Sequence, residues 1–281
     1  MKRIHLMLLL ATVAMTAVSC GHRKDSKKDE GPKILVLYYS QTSNTKAVAL
    51  EFATQLDADM EEIVAVDPYD GDFEATIERC RQEQEQGLLP EIQPLAADIT
   101  QYDTIFLGYP VWFGTFAPPV AAFLDQVDLS GKTVVPFCTF GSGGLISSMK
   151  DLAKKQPNAI IPNGYGVRTA RLGAMPQEVD QFLKENGFVE GDYVKLEEFT
   201  DICPVSEEAA AIFDAAVGEY PMIHAKAEGV STRSIPNGKE YLFLAVDLPR
   251  EDAPDMPPPG EMKIYVTALD GEAPVFTQIV R

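Results

Sequence analysis

The chain has 281 residues, of which 46% are hydrophobic, so it can form one large domain or two smaller ones around a sizeable core. That hydrophobic content excludes global disorder. The formal net charge at pH 7 is −18, which argues against nucleic-acid binding because phosphate contacts require clustered Lys and Arg.

The N-terminal segment has the pattern of an export signal. A short basic start precedes a mostly apolar run over residues 4–18, which is too short for an ordinary membrane span. The run ends in AVSC, which resembles the lipobox of bacterial lipoproteins, with Cys20 as the lipidated residue; the alternative is a plain secretory peptide. The resemblance implies a lipoprotein signal peptide over 1–20 and an exported protein, lipid-anchored to a bacterial membrane at its periplasmic face or the cell surface. Residues 21–32 are polar and predict a flexible tether.

Residues 33–189 alternate apolar runs with segments of helical periodicity. Strands are predicted over 33–39, 61–66, 103–109, 132–139 and 159–167. Helices are predicted over 45–56, 73–86, 120–127, 146–154 and 177–187. This alternation predicts an α/β domain with a doubly wound five-stranded parallel sheet, whose ligand site lies beyond the carboxyl ends of the strands.

The remainder, residues 190–281, does not continue this alternation. A helix is predicted over 206–217 with Ser206 as its cap, followed by strand-like runs over 241–248, 261–269 and 274–280. The dipeptide Asp270-Gly271 predicts a turn, and a Pro-rich loop separates the first two runs. We expect a small α+β domain here.

The first loop of the α/β pattern joins strand one to helix one. A helix N-terminus offers unpaired N–H groups and the positive end of the helix dipole, so a phosphate can bind here without an obligatory cation. The alternative is a turn that only caps the helix. The candidate phosphate-binding residues are Ser40, Gln41, Thr42, Ser43, Asn44 and Thr45.

The second loop follows strand three and contains the only tryptophan of the chain. An aromatic side chain beside a glycine at the end of a strand suits stacking on a flat ring. The alternative is a Trp–Phe pair that fills the core. The candidate residues are Pro110, Val111, Trp112, Phe113 and Gly114.

The third loop follows strand four and has three glycines in four residues. Glycines allow close backbone approach to a ligand, so the backbone could hydrogen-bond the edge of a heterocycle while Phe140 lies against it. The alternative is a flexible connector. The candidate residues are Thr139, Phe140, Gly141, Ser142, Gly143 and Gly144.

Together, these loops resemble those of the flavodoxin family. The family's loops read Ser/Thr-x-Thr-Gly-x-Thr, then Tyr-Pro-Ile/Val-Trp-Trp/Phe-Gly, then a strand ending in Thr and several Gly. The matching residues are Ser40, Thr42, Asn44 and Thr45 in the first loop, 109–114 in the second and 139–144 in the third. Ser43 replaces the family's glycine, so the turn must accommodate a side chain there. The resemblance covers about 33–187.

The resemblance implies non-covalent binding of FMN and a role in electron transfer at the membrane surface, as a carrier or an oxidoreductase. The redox partner, a protein or a small quinone or NAD(P)H, is left open. It further implies that Trp112 and Phe140 flank the flavin ring and that the amides of 141–144 reach its pyrimidine edge. Because reduced flavin is anionic, the acidic chain predicts a low potential for the hydroquinone couple.

Two alternatives to an electron-transfer protein stand beside this hypothesis. One is a binding module that holds flavin or another phosphorylated ligand without turnover, and the other is a structural lipoprotein. No catalytic acid–base set and no metal-binding pattern stands out in the sequence. The C-terminal part has a weak resemblance to cystatin-like α+β modules over 225–248 and 261–269.

Overall fold

The structure is a computed structural model that describes residues 32–218, 220, 223–248 and 260–281. The predicted signal peptide with Cys20, nearly all of the predicted tether and most of the Pro-rich loop lie outside these residues. Across the described ranges, no helix combines the length and the apolar character needed to cross a membrane.

The first part of the chain forms a parallel sheet with helices on both faces. Its strands are β1 (Ile34–Tyr38), β2 (Asp59–Glu62), β3 (Thr104–Trp112), β4 (Thr115–Phe116), β5 (Thr133–Phe140) and β6 (Tyr165–Arg168). Its helices are α1 (Asn44–Leu56), α2 (Phe73–Gln86), α3 (Pro118–Gln126), α4 (Leu145–Lys155) and α5 (Met175–Glu185). The strand order β2-β1-β3-β5-β6, with every neighbouring pair parallel, confirms the predicted doubly wound five-stranded sheet.

The central strands are apolar throughout because both of their faces are buried. In β1, Leu35 and Leu37 face one core cluster, whereas Val36 and Tyr38 face the other. The chain order reverses between β1 and β3, so the carboxyl ends of these strands and of β5 form the switch point of the sheet.

Local sequence signals set several helix boundaries. The Asp72 carboxylate accepts a hydrogen bond from the N–H of Ala75 and caps α2. Pro118 is the first residue of α3, as the Pro-Pro pair predicts. Gly187 adopts a φ of 73° just after α5, the left-handed conformation that glycine favours at a helix end.

Two strands are shorter than predicted because other contacts replace the sheet ladder. β2 ends at Glu62, and the following residues pair instead with 91–93 through an antiparallel bridge between Ala65 and Ile92. The last parallel strand begins only at Tyr165, since 159–164 makes one bridge, at Ile160, and then contains a proline and a glycine.

The C-terminal part is a helix packed on an antiparallel sheet, as predicted. The elements are α6 (Glu207–Val217), β7 (Ala225–Ile235), β8 (Gly238–Asp247), β9 (Glu261–Leu269) and β10 (Val275–Val280), with the strand order β10-β9-β8-β7. The Ser206 hydroxyl accepts from the N–H of Ala209, which confirms the predicted cap. Phe213 of α6 packs on Phe243 of β8 with ring centroids 5.0 Å apart. Strand β7 is absent from the sequence prediction.

Candidate functional site

The first loop turns sharply into α1. Ser43 adopts a φ of 66°, a left-handed conformation, immediately before the first helical residue. A residue with a Cβ has a steric cost in this conformation, and glycine does not. The glycine in the motif that this loop resembles would therefore fit the position without strain. Among the described residues, none accepts a hydrogen bond from the N–H groups of 42–45. These groups are therefore available to an anion at the helix N-terminus.

Short hydrogen-bonded contacts within the loop hold its shape. The Asn44 amide donates to the Thr42 hydroxyl at 3.2 Å, and the Ser40 hydroxyl accepts from the N–H of Lys46 at 3.2 Å. The hydroxyls of Thr45 and Thr139 lie 2.8 Å apart and are buried, so they tie the first loop to the end of β5.

The Gln41 side chain points away from the loop. Its amide donates to the carbonyl of Tyr69 at 2.8 Å and to the hydroxyl of Thr76 at 3.0 Å, which fixes the start of α2. Lys46 lies 3.8 Å from Glu62 and leaves anion binding to backbone groups and neutral hydroxyls. Gln41 therefore supports the loop rather than offering a side-chain donor to a ligand.

The second loop is a tight hairpin. β3 continues past the predicted strand end, with Pro110 paired beside Thr139, and pairs antiparallel with β4, Trp112 opposite Thr115. The two connecting residues, Phe113 and Gly114, have φ values of 51° and 80°. Positive φ at both central positions is what a type I′ hairpin turn requires. Such a conformation is rare for a bulky residue, and the Phe113 side chain is 56% exposed at the tip.

Trp112 is half-buried in an aromatic cluster. Its ring packs edge-on against Tyr39, with centroids 5.9 Å apart, and against Tyr69, with centroids 5.3 Å apart. The Tyr69 hydroxyl donates to Glu83 at 2.7 Å. Burial raises the pKa of Tyr39 and of Tyr69, so both phenols stay neutral at physiological pH. The cluster holds the indole at the carboxyl end of β3, a central strand of the sheet.

Phe140 lies in the core rather than at the surface of the site. Its side chain is 4% exposed and belongs to the same core cluster as Leu107 and Tyr109. The ring lies against the backbone of Gly166, where a Cβ would overlap it. The ring of this last strand residue therefore packs into the interior, and its contact with a ligand stays a prediction.

The second and third loops touch each other. Gly144 has a φ of 122°, and a Cβ there would overlap the Val111 side chain. The Ser147 hydroxyl donates to the carbonyl of Gly114, which links α4 to the hairpin. A cleft of about 440 Å³ is bounded by this hairpin, by the third loop and by residues 278–281.

The C-terminal sheet reaches the third loop through β10. The N–H of Ile279 donates to the carbonyl of Ser142 at 2.6 Å, and Gly143 pairs beside Ile279 so closely that a Cβ would overlap its carbonyl oxygen. Arg168, at the end of β6, donates through Nε to the Gly141 carbonyl at 2.8 Å. Sequence reasoning missed Ile279 and Arg168; a cation at the end of an apolar strand was the available signal.

Three backbone N–H groups of the third loop have no acceptor among the described residues. None of the residues that the structure describes accepts a hydrogen bond from Gly141, Ser142 or Gly143 N–H, although the carbonyls of Gly141 and Ser142 are both engaged. Unbonded donors of this kind suit the acceptor atoms of a heterocycle edge. The fold thus brings together anion-binding N–H groups, an aromatic wall and a row of free backbone donors.

Comparisons with known proteins show which proteins this chain is similar to. The family model described as Flavodoxin matches residues 33–174, half of the chain. A candidate flavoprotein from Bacteroides eggerthii is 27% identical with a TM-score of 0.49, over 55% of this chain and 98% of that one. One from Bacteroides uniformis is 27% identical with a TM-score of 0.48, over 54% and 99%. A Lactobacillus acidophilus flavoprotein in complex with FMN is 28% identical with a TM-score of 0.44, over 48% and 93%.

Proposed function

Because the chain belongs to the flavodoxin family, we propose that it binds FMN at the three loops and transfers electrons at a membrane surface, as a carrier or an oxidoreductase. The observation that carries the proposal is two rows of N–H groups, at 42–45 and at 141–143, that have no acceptor among the described residues, together with the aromatic cluster around Trp112. Free backbone donors beside a helix N-terminus fit a phosphate, and the second row fits the polar edge of a flavin.

The residues of the site divide between the two ends of FMN. The N–H groups of 42–45, with the Thr42 hydroxyl, hold the phosphate. The half-buried Trp112 and the exposed Phe113 offer the aromatic surface for the ring, whereas Phe140 is buried in the core. The N–H groups of 141–143 bind the pyrimidine edge.

Bound FMN supplies the electron chemistry, since its ring accepts one or two electrons, and the chain supplies binding, orientation and electrostatics. The net charge of −18 disfavours an anionic reduced ring, so the hydroquinone couple has a lower potential than in free FMN. A reductive titration followed by visible absorbance checks this; a couple above that of free FMN contradicts it.

The direct test of FMN binding is a titration of the purified protein, followed by flavin fluorescence and the visible spectrum. Trp112→Ala removes the aromatic wall and Thr42→Ala removes a phosphate contact, and each should weaken FMN binding about tenfold, the loss of about 1.4 kcal/mol. Phe199→Ala is the matched control, because its ring packs on Tyr265 of the C-terminal sheet. A colourless protein that ignores FMN would overturn the proposal and leave a structural role.

A carrier and an oxidoreductase differ in one measurement. An oxidoreductase oxidises NAD(P)H unaided when a small quinone is present, whereas a carrier exchanges electrons only with a partner protein. A holoprotein that is reduced by neither nicotinamide nor a partner, yet retains FMN, would fit the non-catalytic binding module instead.

The membrane location rests on the AVSC sequence at Cys20 and on the polar residues 21–32 that follow it. A lipidated Cys20 with two or more acyl chains would anchor the protein stably. Metabolic labelling with a radioactive fatty acid should mark the wild-type protein and not Cys20→Ser, and the variant should leave the membrane fraction. Equal labelling of both proteins would exclude Cys20 as the lipidated residue, and no labelling of the wild-type protein would exclude the anchor.

A further inference from the structure

Arg168 joins the third loop to the C-terminal sheet. It lies at the carboxyl end of β6 and is 9% exposed. Its Nε donates to the carbonyl of Gly141 at 2.8 Å, and its Nη1 donates to the carbonyl of Phe276 in β10. One buried side chain therefore spans the loop that we assign to the flavin and a strand more than a hundred residues away.

No carboxylate among the described residues neutralises the charge of Arg168. Among the described residues it forms no salt bridge, and its guanidinium lies 4.2 Å from the ring centroid of Phe276 and 5.1 Å from that of Tyr220. Burial lowers the pKa of the guanidinium, but an arginine side chain stays protonated in proteins. The site therefore keeps a buried positive charge within a strongly acidic chain.

This local charge opposes the effect of the distant acidic residues without cancelling it, so the couple of bound FMN is still lower than that of free FMN. Exposed charges are screened beyond about 8 Å at physiological ionic strength, whereas a buried charge is screened much less. The Gly141 carbonyl accepts directly from the cation, which polarises the peptide group that it shares with the Ser142 N–H. The same contact strengthens that N–H as a donor.

Strand β10 fixes the loop from the same side. The Ile279 N–H occupies the Ser142 carbonyl at 2.6 Å, and Gly143 leaves room for nothing larger than hydrogen beside the Ile279 carbonyl. With both loop carbonyls engaged, the N–H groups of 141–143 remain for a ligand. The C-terminal sheet is thus built into the site.

We propose that Arg168 is a positioning residue of the flavin site, which holds the third loop through the C-terminal sheet and raises the potential of bound FMN. This inference rests on the proposed function. A positive charge beside the loop favours the ring in its reduced, anionic form over its neutral form. Loss of the charge should therefore shift the couple to more negative values, and loss of the forked geometry should weaken binding.

The test compares Arg168→Met and Arg168→Lys with the wild-type holoprotein. Arg168→Met should raise the FMN dissociation constant about 10- to 100-fold, as expected for lost charged hydrogen bonds, and should shift the hydroquinone couple to a more negative potential. Arg168→Lys keeps the positive charge but cannot donate to the Gly141 and Phe276 carbonyls through the two nitrogens of a guanidinium. It should therefore weaken FMN binding, while the hydroquinone potential shifts less than in Arg168→Met. Arg233→Met is the matched control, because Arg233 also lies over an aromatic ring, that of Phe199, but away from the loop.

The possible results separate this inference from the proposed function. A wild-type protein without FMN affinity overturns both. A holoprotein whose Arg168→Met variant has the wild-type potential, or whose Arg168→Lys variant has the wild-type dissociation constant, overturns the inference alone. Should Arg168→Met fail to fold, the FMN titration of Arg168→Lys tests the inference, and the titration of the wild-type protein tests the proposed function.

Discussion

The first and third loops of the site are built in opposite ways. The first loop is held by the parallel-sheet part alone, through the Asn44–Thr42 contact inside the loop and the Thr45–Thr139 pair with the end of β5. The third loop has its carbonyls held by Arg168 and Ile279, outside the loop. The difference teaches that one half of a flavin site can be complete within the parallel-sheet part, while the other half depends on an added sheet.

The largest effect is expected when the contact between the third loop and β10 is disrupted. Gly143→Ala places a Cβ against the backbone carbonyl of Ile279, and neither backbone can move freely. We expect a loss of about 2–3 kcal/mol in the free energy of unfolding, measured by chemical denaturation, together with weaker FMN binding. Gly173→Ala is the control, because nothing lies within 4 Å of its added methyl group. Equal stability of the two variants would contradict the docking of β10.

A smaller effect is expected when the contact between the first loop and the end of β5 is removed. Thr45→Val leaves the buried Thr139 hydroxyl without its partner 2.8 Å away, and should lower the free energy of unfolding by about 1–2 kcal/mol. Thr45→Val/Thr139→Val removes both hydroxyls and should recover part of the loss, because no buried group is left unpaired. Additive losses in this double-mutant cycle would show that the pair does not interact.

A stabilising change is expected at Ser43. Ser43→Gly relieves the left-handed conformation and should raise the free energy of unfolding by about 0.5–1 kcal/mol while FMN binding is kept. Asp57→Gly, at the other end of α1 with a φ of 49°, is the control and should gain less, since Asp tolerates this conformation better. A destabilised Ser43→Gly protein would mean that the Ser43 side chain makes a contact of its own.

The last prediction concerns the reactivity of the three cysteine thiols that the structure describes. Cys80 of α2 and Cys138 of β5 are buried, whereas Cys203 is exposed beside β7. Burial raises the pKa of Cys80 to about 11 and also raises that of Cys138, so both remain protonated and unreactive at pH 8. In a Cys20→Ser protein, a thiol reagent followed by mass spectrometry should modify Cys203 alone. Rapid modification of Cys138 in the folded protein would contradict the packing of β5.

The parallel sheet and the first loop were predictable because their signals are local. The helix over Phe73–Gln86 follows from its polar, helix-favouring pattern, and the loop at 40–45 follows from hydroxyl residues between a strand and a helix. Strand β7 was missed because charged residues and Gly229 interrupt its apolar alternation. Pro110 and the aromatic residues after it concealed the hairpin that extends β3.

The outer half of the site could not be predicted from one sequence. The contact between Gly143 and Ile279 is made by backbone atoms of distant segments, so no side-chain pattern marks it. Phe140 was assigned to the ligand because it follows a strand, but its alternation in β5 sends the ring into the core. Arg168 resembles a surface residue at a strand end, but distant residues, Tyr220 and Phe276 of β10 among them, cover it.

Hydrogen exchange in the wild-type protein, with and without FMN, tests the central claim most directly. If the C-terminal sheet is part of the site, binding and docking stabilise each other. FMN should then slow exchange at 40–45, at 141–144 and also at 275–280, while the turn between β7 and β8 is unchanged. Slower exchange at the two loops with no change at 275–280 would contradict the account.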